Sequence, residues 1–167
     1  MRGSLNGRTF DMKDMGAVNV ALAKEQHATY CQALERLGYT LVRMRSNAQY
    51  PDSVFVEDPA IIIGNAFIIA RLRRLERQGE QIRLLEKLDF ETGLFSRIFF
   101  INSPGFVEGG DVLITHNCLY IGLSARTNIE GAEQLAKIAY DRCGYYAQMF
   151  EIPKQYLHLK GEVTYHR

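Results

Sequence analysis

Phe55-Val56-Glu57-Asp58 and Phe106-Val107-Glu108-Gly109 are two copies of one short pattern, with Glu57 and Glu108 standing 51 positions apart. An apolar hairpin follows each copy. The first runs over Ala60–Ala70 and turns at Gly64-Asn65; the second joins Asp111–Ile114 to Cys118–Gly122 through His116-Asn117. Each hairpin leads to a helix and then a strand. Glu80–Phe90 and Arg97–Ile101 serve the first copy, and Thr127 to about Arg142 and Ala147–Glu151 serve the second. A third copy begins near His158, which lies 50 positions after Glu108. A period of this size marks supersecondary units packed side by side. If the units pack around an axis, equivalent points face one place, and Glu57, Asp58, Glu108 and His158 converge there. The plainer alternative is a chance match of short apolar runs.

Outside the repeat, Val20, Ala23, His27, Tyr30, Cys31, Leu34 and Leu37 recur at helical spacing. Asn19 can cap that helix and Gly38 can end it. Thr40–Met44 reads as a strand, as does Ser53–Val56. Thr127 and Glu130 have capping-box spacing. No linker or low-complexity stretch divides residues 1–167, so a single domain is expected. Glu162–Arg167 reads as a strand that has just begun, so the chain is expected to be cut there. Met1-Arg2-Gly3-Ser4 reads equally as a tag remnant or a native start.

Lys plus Arg total 20 and Asp plus Glu total 19, a balance that gives no support for a nucleic-acid or anionic-membrane partner. The cysteines, Cys31, Cys118 and Cys143, are odd in number and scattered, which fits a reducing compartment. None is spaced for a metal with His27, His116, His158 or His166, so no metal is expected. No apolar run approaches a membrane span, no leader is evident, and a cytoplasmic location is the default expectation.

The repeat carries a family resemblance. Pro51-Asp52-Ser53-Val54-Phe55-Val56-Glu57-Asp58-Pro59, Glu108-Gly109-Gly110-Asp111-Val112-Leu113, Ile121-Gly122-Leu123-Ser124-Ala125-Arg126-Thr127-Asn128 and Leu157-His158-Leu159-Lys160 resemble four motifs of the dimethylarginine dimethylaminohydrolases. They fall in that family's order and at about its spacing, from roughly Ser4 to the last residue. The resemblance implies an α/β fold of the pentein type. This is a five-bladed propeller of strand-strand-helix-strand units, of which about three are present; the first lacks its opening strand and the C-terminal units are missing. It also implies hydrolysis of the guanidino group, converting methylated arginine to citrulline and a methylamine, with no cofactor.

A guanidinium is planar, cationic and rich in donors, so its site needs carboxylates in its plane. Asp58 and Glu108 are the candidates to grip it. Read singly, each is as well explained as a turn or loop residue. By resemblance His158 is the general acid and base, with a satisfied core imidazole as the plainer reading. Asp52, Glu57, Arg77 and Arg126 match positions that hold the amino-acid end of the substrate. Arg77 could instead belong to a solvated basic face with Arg71, Arg73 and Arg74. Phe10 takes a substrate-loop position and Phe55 lines the pocket, unless Phe55 is core. The family's nucleophilic cysteine matches none of the three here, so the chain alone is expected to be inactive. An arginine deiminase or amidinotransferase of the same fold is the second reading. The third is a non-catalytic binding or assembly module that pairs with a second copy or a complementary C-terminal chain.

Overall fold

A computed structural model describes residues 2–5, 8–11, 19–45, 47–92 and 97–166. The chain divides into two compact units, Met1–Arg45 and Ser46–Arg167. Among the described residues no helix is long and apolar enough to cross a membrane.

The first unit opens with β1 (Arg2–Leu5) and β2 (Arg8–Asp11), an antiparallel pair in which Phe10 faces Gly3 across the ladder. A hairpin therefore stands at the start of the unit expected to lack its opening strand. The helix α1 (Val20–Arg36) follows, with the Asn19 side chain accepting from the Leu22 N–H as the sequence predicts. Thr40–Met44 is not a strand. Its apolar alternation is present, but the segment has no ladder partner among the described residues, and a strand without one leaves its backbone groups unpaired.

The second unit contains the repeat. In the first copy β3 (Ala60–Ile63) and β4 (Ala66–Ile69) form the hairpin, α2 (Glu80–Thr92) crosses over, and β5 (Arg97–Phe100) returns parallel to β4. In the second, β6 (Val112–Ile114) pairs antiparallel with β7 (Cys118–Leu123), α3 (Ile129–Cys143) crosses over, and β8 (Tyr146–Glu151) lies parallel to β7. The sheet orders β3-β4-β5 and β6-β7-β8 are the same arrangement twice. In each, the helix supplies the crossover that two parallel strands require. The middle strand β4 is buried at every position, which explains why its sequence is a continuous apolar run rather than an alternating one.

One core joins the copies. Ile61, Ile63, Ile68, Ala70 and Leu72 from the first pack with Val107, Val112, Leu119 and Ile121 from the second, and α3 closes them with Ala132, Leu135 and Ala139. The cap of α3 is Asn128, not the predicted Thr127, whose hydroxyl is used elsewhere. Asn128 Oδ1 accepts from Gly131 N–H at 3.1 Å and from Phe106 N–H at 2.6 Å, and its amide donates to Pro104 O. Gly144 ends the helix at φ 73°, a left-handed conformation that glycine adopts without cost. Asn128→Ala strips both the cap and the tether of the preceding loop. It is expected to lower the unfolding free energy by about 1–2 kcal/mol, read from urea denaturation.

Two strand expectations fail at the motifs themselves. Residues Pro51–Val54 form a 3-10 helix, with Pro51 in its first turn and Phe55 N–H bonded back to Asp52 O. Proline suits a helix start, and the bend lets the chain enter β3. Residues 162–166 form no strand. Leu159–Gly161 is a 3-10 turn, and Glu162 and Val163 N–H both return to Leu159 O. Arg167 lies outside the described residues.

Candidate active site

The segments that lead into β3 and β6 lie side by side. Gly109 N–H donates to Asp58 O at 3.0 Å, and Gly110 N–H donates to Asp58 Oδ1 at 3.3 Å. The two glycines permit this approach. A Cβ on Gly109 would collide with Glu57 O, and one on Gly110 would lie 2.7 Å from His158 Cγ and 3.1 Å from Asp58 Oδ1. His158 arrives on extended backbone just before the Leu159–Gly161 turn. Its Nε2 stands 3.4 Å from Glu108 Oε2 and 3.8 Å from Asp58 Oδ1, and its Nδ1 stands 3.4 Å from Asp111 Oδ1. Asp58, Glu108 and His158, drawn from three repeat positions, share one place.

Two arginines complete it. Arg77 is buried, and its Nε and Nη2 bind both oxygens of Glu80 at 3.0 and 2.8 Å. Its Nη1 donates to Asp58 Oδ2 at 2.9 Å and lies 3.8 Å from Glu108 Oε2. Arg126 Nη1 reaches Glu108 Oε1 at 3.3 Å. Arg77 is thus separated from its basic neighbours: Arg73 and Arg74 are exposed, and Arg71 is half-buried with its guanidinium 4.3 Å from the Phe106 ring centre. Burial alone would lower the Arg77 pKa. The bonds to Glu80 and Asp58 outweigh it and hold the guanidinium charged.

The remaining expectations are less central. Asp52 is half-buried and touches the cluster through its carbonyl, 3.4 Å from Arg77 Nη2. Glu57 is exposed and paired with Lys160 at 2.6 Å. Phe55 is exposed, so it is not the core residue that an alternating strand would make it. Phe10 lies on β2 in the other unit, and its side chain lies outside the described residues. The sequence reading overlooked Glu80, Asp111, Ser124 and Thr127. Glu80 could have been found from its spacing three residues after Arg77 on a helix start. Asp111 lay in plain view inside Gly109-Gly110-Asp111, where it passed for a strand residue.

Glu108 is fully buried. Burial raises its pKa above the ordinary carboxylate value, and Asp58 adds to that against the opposing pull of Arg126, His158 and Arg77. Burial works to lower the His158 pKa, but Asp111, Asp58 and Glu108 together hold it above the ordinary value. Both groups bind a proton more tightly in the folded chain than in the unfolded one. The stability they contribute is complete below their ordinary values of 4.5 and 6.5, and is lost as pH rises through the folded ones. The unfolding free energy is therefore expected to decline as pH rises above 4.5, and His158→Gln to flatten the part of that slope above pH 6.5.

Asp58, Glu108 and His158 each bring a polar atom within 4.8 Å of the others. The chain's own guanidinium groups already stand against both carboxylates, Arg77 at Asp58 and Arg126 at Glu108. Four carboxylates, Asp58, Glu80, Glu108 and Asp111, face two guanidinium groups, and Glu108 Oε2 is buried without a hydrogen-bond partner. His158, held protonated by three of these carboxylates, is a third cation in the cluster, and Glu108 Oε2 is the acceptor left open to an added donor. Among the cysteines, Cys118 opens β7 and Cys143 ends α3, where burial pushes its thiol pKa up, the opposite of an activated nucleophile. Cys31 lies on α1, 3.7 Å from His27.

The profile of the family described as "N,N dimethylarginine dimethylhydrolase, eukaryotic" matches residues 9–166. The chain is 36% identical over 152 residues to the N(G),N(G)-dimethylarginine dimethylaminohydrolase of Pseudomonas aeruginosa, covering 90% of this chain and 58% of that protein. It is 33% identical to the Streptomyces coelicolor enzyme of the same name, covering 88% and 55%. It therefore spans little more than half the length of these relatives. The crystal structure of the Pseudomonas aeruginosa protein, a cysteine-to-serine variant complexed with citrulline, superposes with a TM-score of 0.79 over 90% of this chain and 57% of that one. The N-terminal domain of ArgZ, an arginine dihydrolase, matches at 21% identity and a TM-score of 0.64, a likeness of fold. By profile, identity and structure, the chain belongs to the dimethylarginine dimethylaminohydrolase family.

Proposed function

We propose that this chain forms the guanidinium-gripping and proton-transferring part of a methylarginine hydrolase. The convergence of buried Asp58 and Glu108 on His158, with Glu108 Oε2 left without a hydrogen-bond partner, carries that reading. Asp58 and Glu108 accept the in-plane N–H groups of the substrate guanidinium, and Arg126 offers its fork to the α-carboxylate. Asp52, Glu57 and Phe55 lie toward the amino-acid end. Arg77, whose fork is taken by Glu80 and Asp58, serves as the counter-ion that keeps Asp58 aimed.

The chemistry needs a cysteine thiolate, and by motif none of Cys31, Cys118 and Cys143 matches the family's nucleophile. That thiolate attacks the central guanidinium carbon, and the C–N bond to the methylamine breaks as His158 Nε2 gives the leaving nitrogen a proton. The resulting thiouronium is then attacked by water, whose proton His158 takes. The C–S bond breaks, releasing citrulline and the thiolate. This chain corresponds to about three units of a five-unit propeller.

Similarity to arginine deiminases, at 33% identity over 52% of the chain for that of Metamycoplasma arthritidis, supports arginine as the second substrate reading. The test is calorimetric titration of the purified chain with asymmetric dimethylarginine and with arginine, alongside a citrulline assay. Tighter binding of dimethylarginine, with no citrulline formed, is expected. Tighter binding of arginine would favour the second reading, and citrulline made by this chain alone would overturn the assignment of the nucleophile.

A further inference from the structure

Asp111 is fully buried and sits behind His158, away from the carboxylates that would hold the substrate. Its Oδ2 accepts from the Ser124 hydroxyl at 2.6 Å and the Thr127 hydroxyl at 2.8 Å. Its Oδ1 accepts from the Leu159 N–H at 3.1 Å and faces His158 Nδ1 at 3.4 Å. A carboxylate offers about four acceptor directions; three are committed to these donors, and the fourth faces His158 Nδ1, which is buried and has no hydrogen-bond partner. The hydroxyls have no choice of direction. Each gives its only proton to Asp111, and each takes backbone donors with its lone pairs. Ser124 Oγ accepts from the Arg126 and Thr127 N–H groups, and Thr127 Oγ1 accepts from the Glu108 N–H. One side chain thus ties together the backbones that present Glu108, Arg126 and His158.

We propose that Asp111 is the positioning residue of this site, fixing the ring of His158 so that Nδ1 carries its proton toward Asp111 and Nε2 is left as the working atom. Two of the three carboxylates around the imidazole carry charge that is shared with arginines. Glu108 divides its charge between Arg126 and Arg77, and Asp58 is drawn to Arg77. Asp111 has no cationic side chain against it in the cluster, and three other donors hold it still. With Asp111 fixed by three donors and the buried Nδ1 facing it without another partner, a proton on Nδ1 has an acceptor there, which leaves Nε2 bare in the neutral ring. Asp111 does not reach the space between Asp58 and Glu108, so it acts through His158. This role rests on the proposed proton transfer at Nε2, but the ring's orientation and tautomer are properties of the chain without substrate, and they can be measured separately.

The experiment is long-range 1H–15N correlation spectroscopy of the 15N-labelled chain over a pH titration, with His158 assigned by loss of its signals in His158→Gln. The wild-type neutral ring is expected as the Nδ1–H tautomer. In Asp111→Asn the carboxylate is lost while shape is kept. The tautomer ratio is expected to move at least about tenfold toward Nε2–H, and the titration midpoint to fall. Asp111→Glu, which restores the charge, should recover part of both. Ser124→Ala loosens the clamp and should produce a smaller shift in the same direction. A wild-type Nε2–H tautomer would overturn the proposal whatever the variants do. So would an Asp111→Asn chain that stays folded with His158 unchanged. Failure to bind methylarginine would count against the proposed function and leave this result standing.

Discussion

Arg77→Met is expected to lower the unfolding free energy by about 3–5 kcal/mol, the largest stability effect of any single substitution considered for this chain. Arg77 is 4% exposed and is the common partner of Glu80 and Asp58, which are also buried, and it faces Glu108. Removing it leaves Glu80 without its guanidinium partner, and Asp58 and Glu108 with only His158 and Arg126 near them. Losing one partner of a buried pair costs far more than the pair contributes, because the remaining charge has neither water nor counter-ion. Arg77→Lys should recover little, since an ammonium cannot fill a fork that binds both oxygens of Glu80 and one of Asp58. Adding Glu80→Leu to Arg77→Met should restore part of the loss by removing one of the orphaned charges. Urea denaturation followed by tyrosine fluorescence would measure all three, as the chain has nine tyrosines and no tryptophan.

The second large effect is on ligand affinity. Glu108→Gln is expected to weaken binding of asymmetric dimethylarginine by about 2–5 kcal/mol, roughly thirtyfold to a few thousandfold. The glutamine keeps the shape but presents one amide acceptor and two donors where a planar cation brings donors of its own. Asp141→Asn, on an exposed carboxylate that already has Lys137, should change affinity by less than about threefold. Calorimetric titration of both variants against the unaltered chain separates the two expectations.

The repeat was legible because its signal is periodic. Two apolar hairpins at a spacing near 50 residues could be counted, and the strand order β3-β4-β5 and β6-β7-β8 follows from them. Glu108 and His158 were legible for the same reason, as equivalent points in successive units; their equivalent in the first, Glu57, is instead exposed and paired with Lys160, and its neighbour Asp58 takes the place at the cluster. What the sequence concealed is local or relational. Pro51–Val54 has strand-like residues, but a proline at its start and a tight entry to β3 make it a 3-10 helix. Thr40–Met44 alternates like a strand yet lacks a partner among the described residues. Arg77 looked like part of a basic face because burial depends on Glu80 and Asp58, which only the fold brings to it. Asp111 was hidden by its neighbours, since one carboxylate among apolar residues shows nothing of the two hydroxyls, 13 and 16 residues on, that hold it.

The most direct test is chemical-shift mapping of the 15N-labelled chain titrated with asymmetric dimethylarginine, with neutral citrulline as the comparison. The backbone amides of Asp58, Glu108, Gly110 and Leu159 should move together along one saturating curve for the cation, and move less for citrulline. Shifts scattered over other surfaces, or none at these four amides, would contradict a shared guanidinium site.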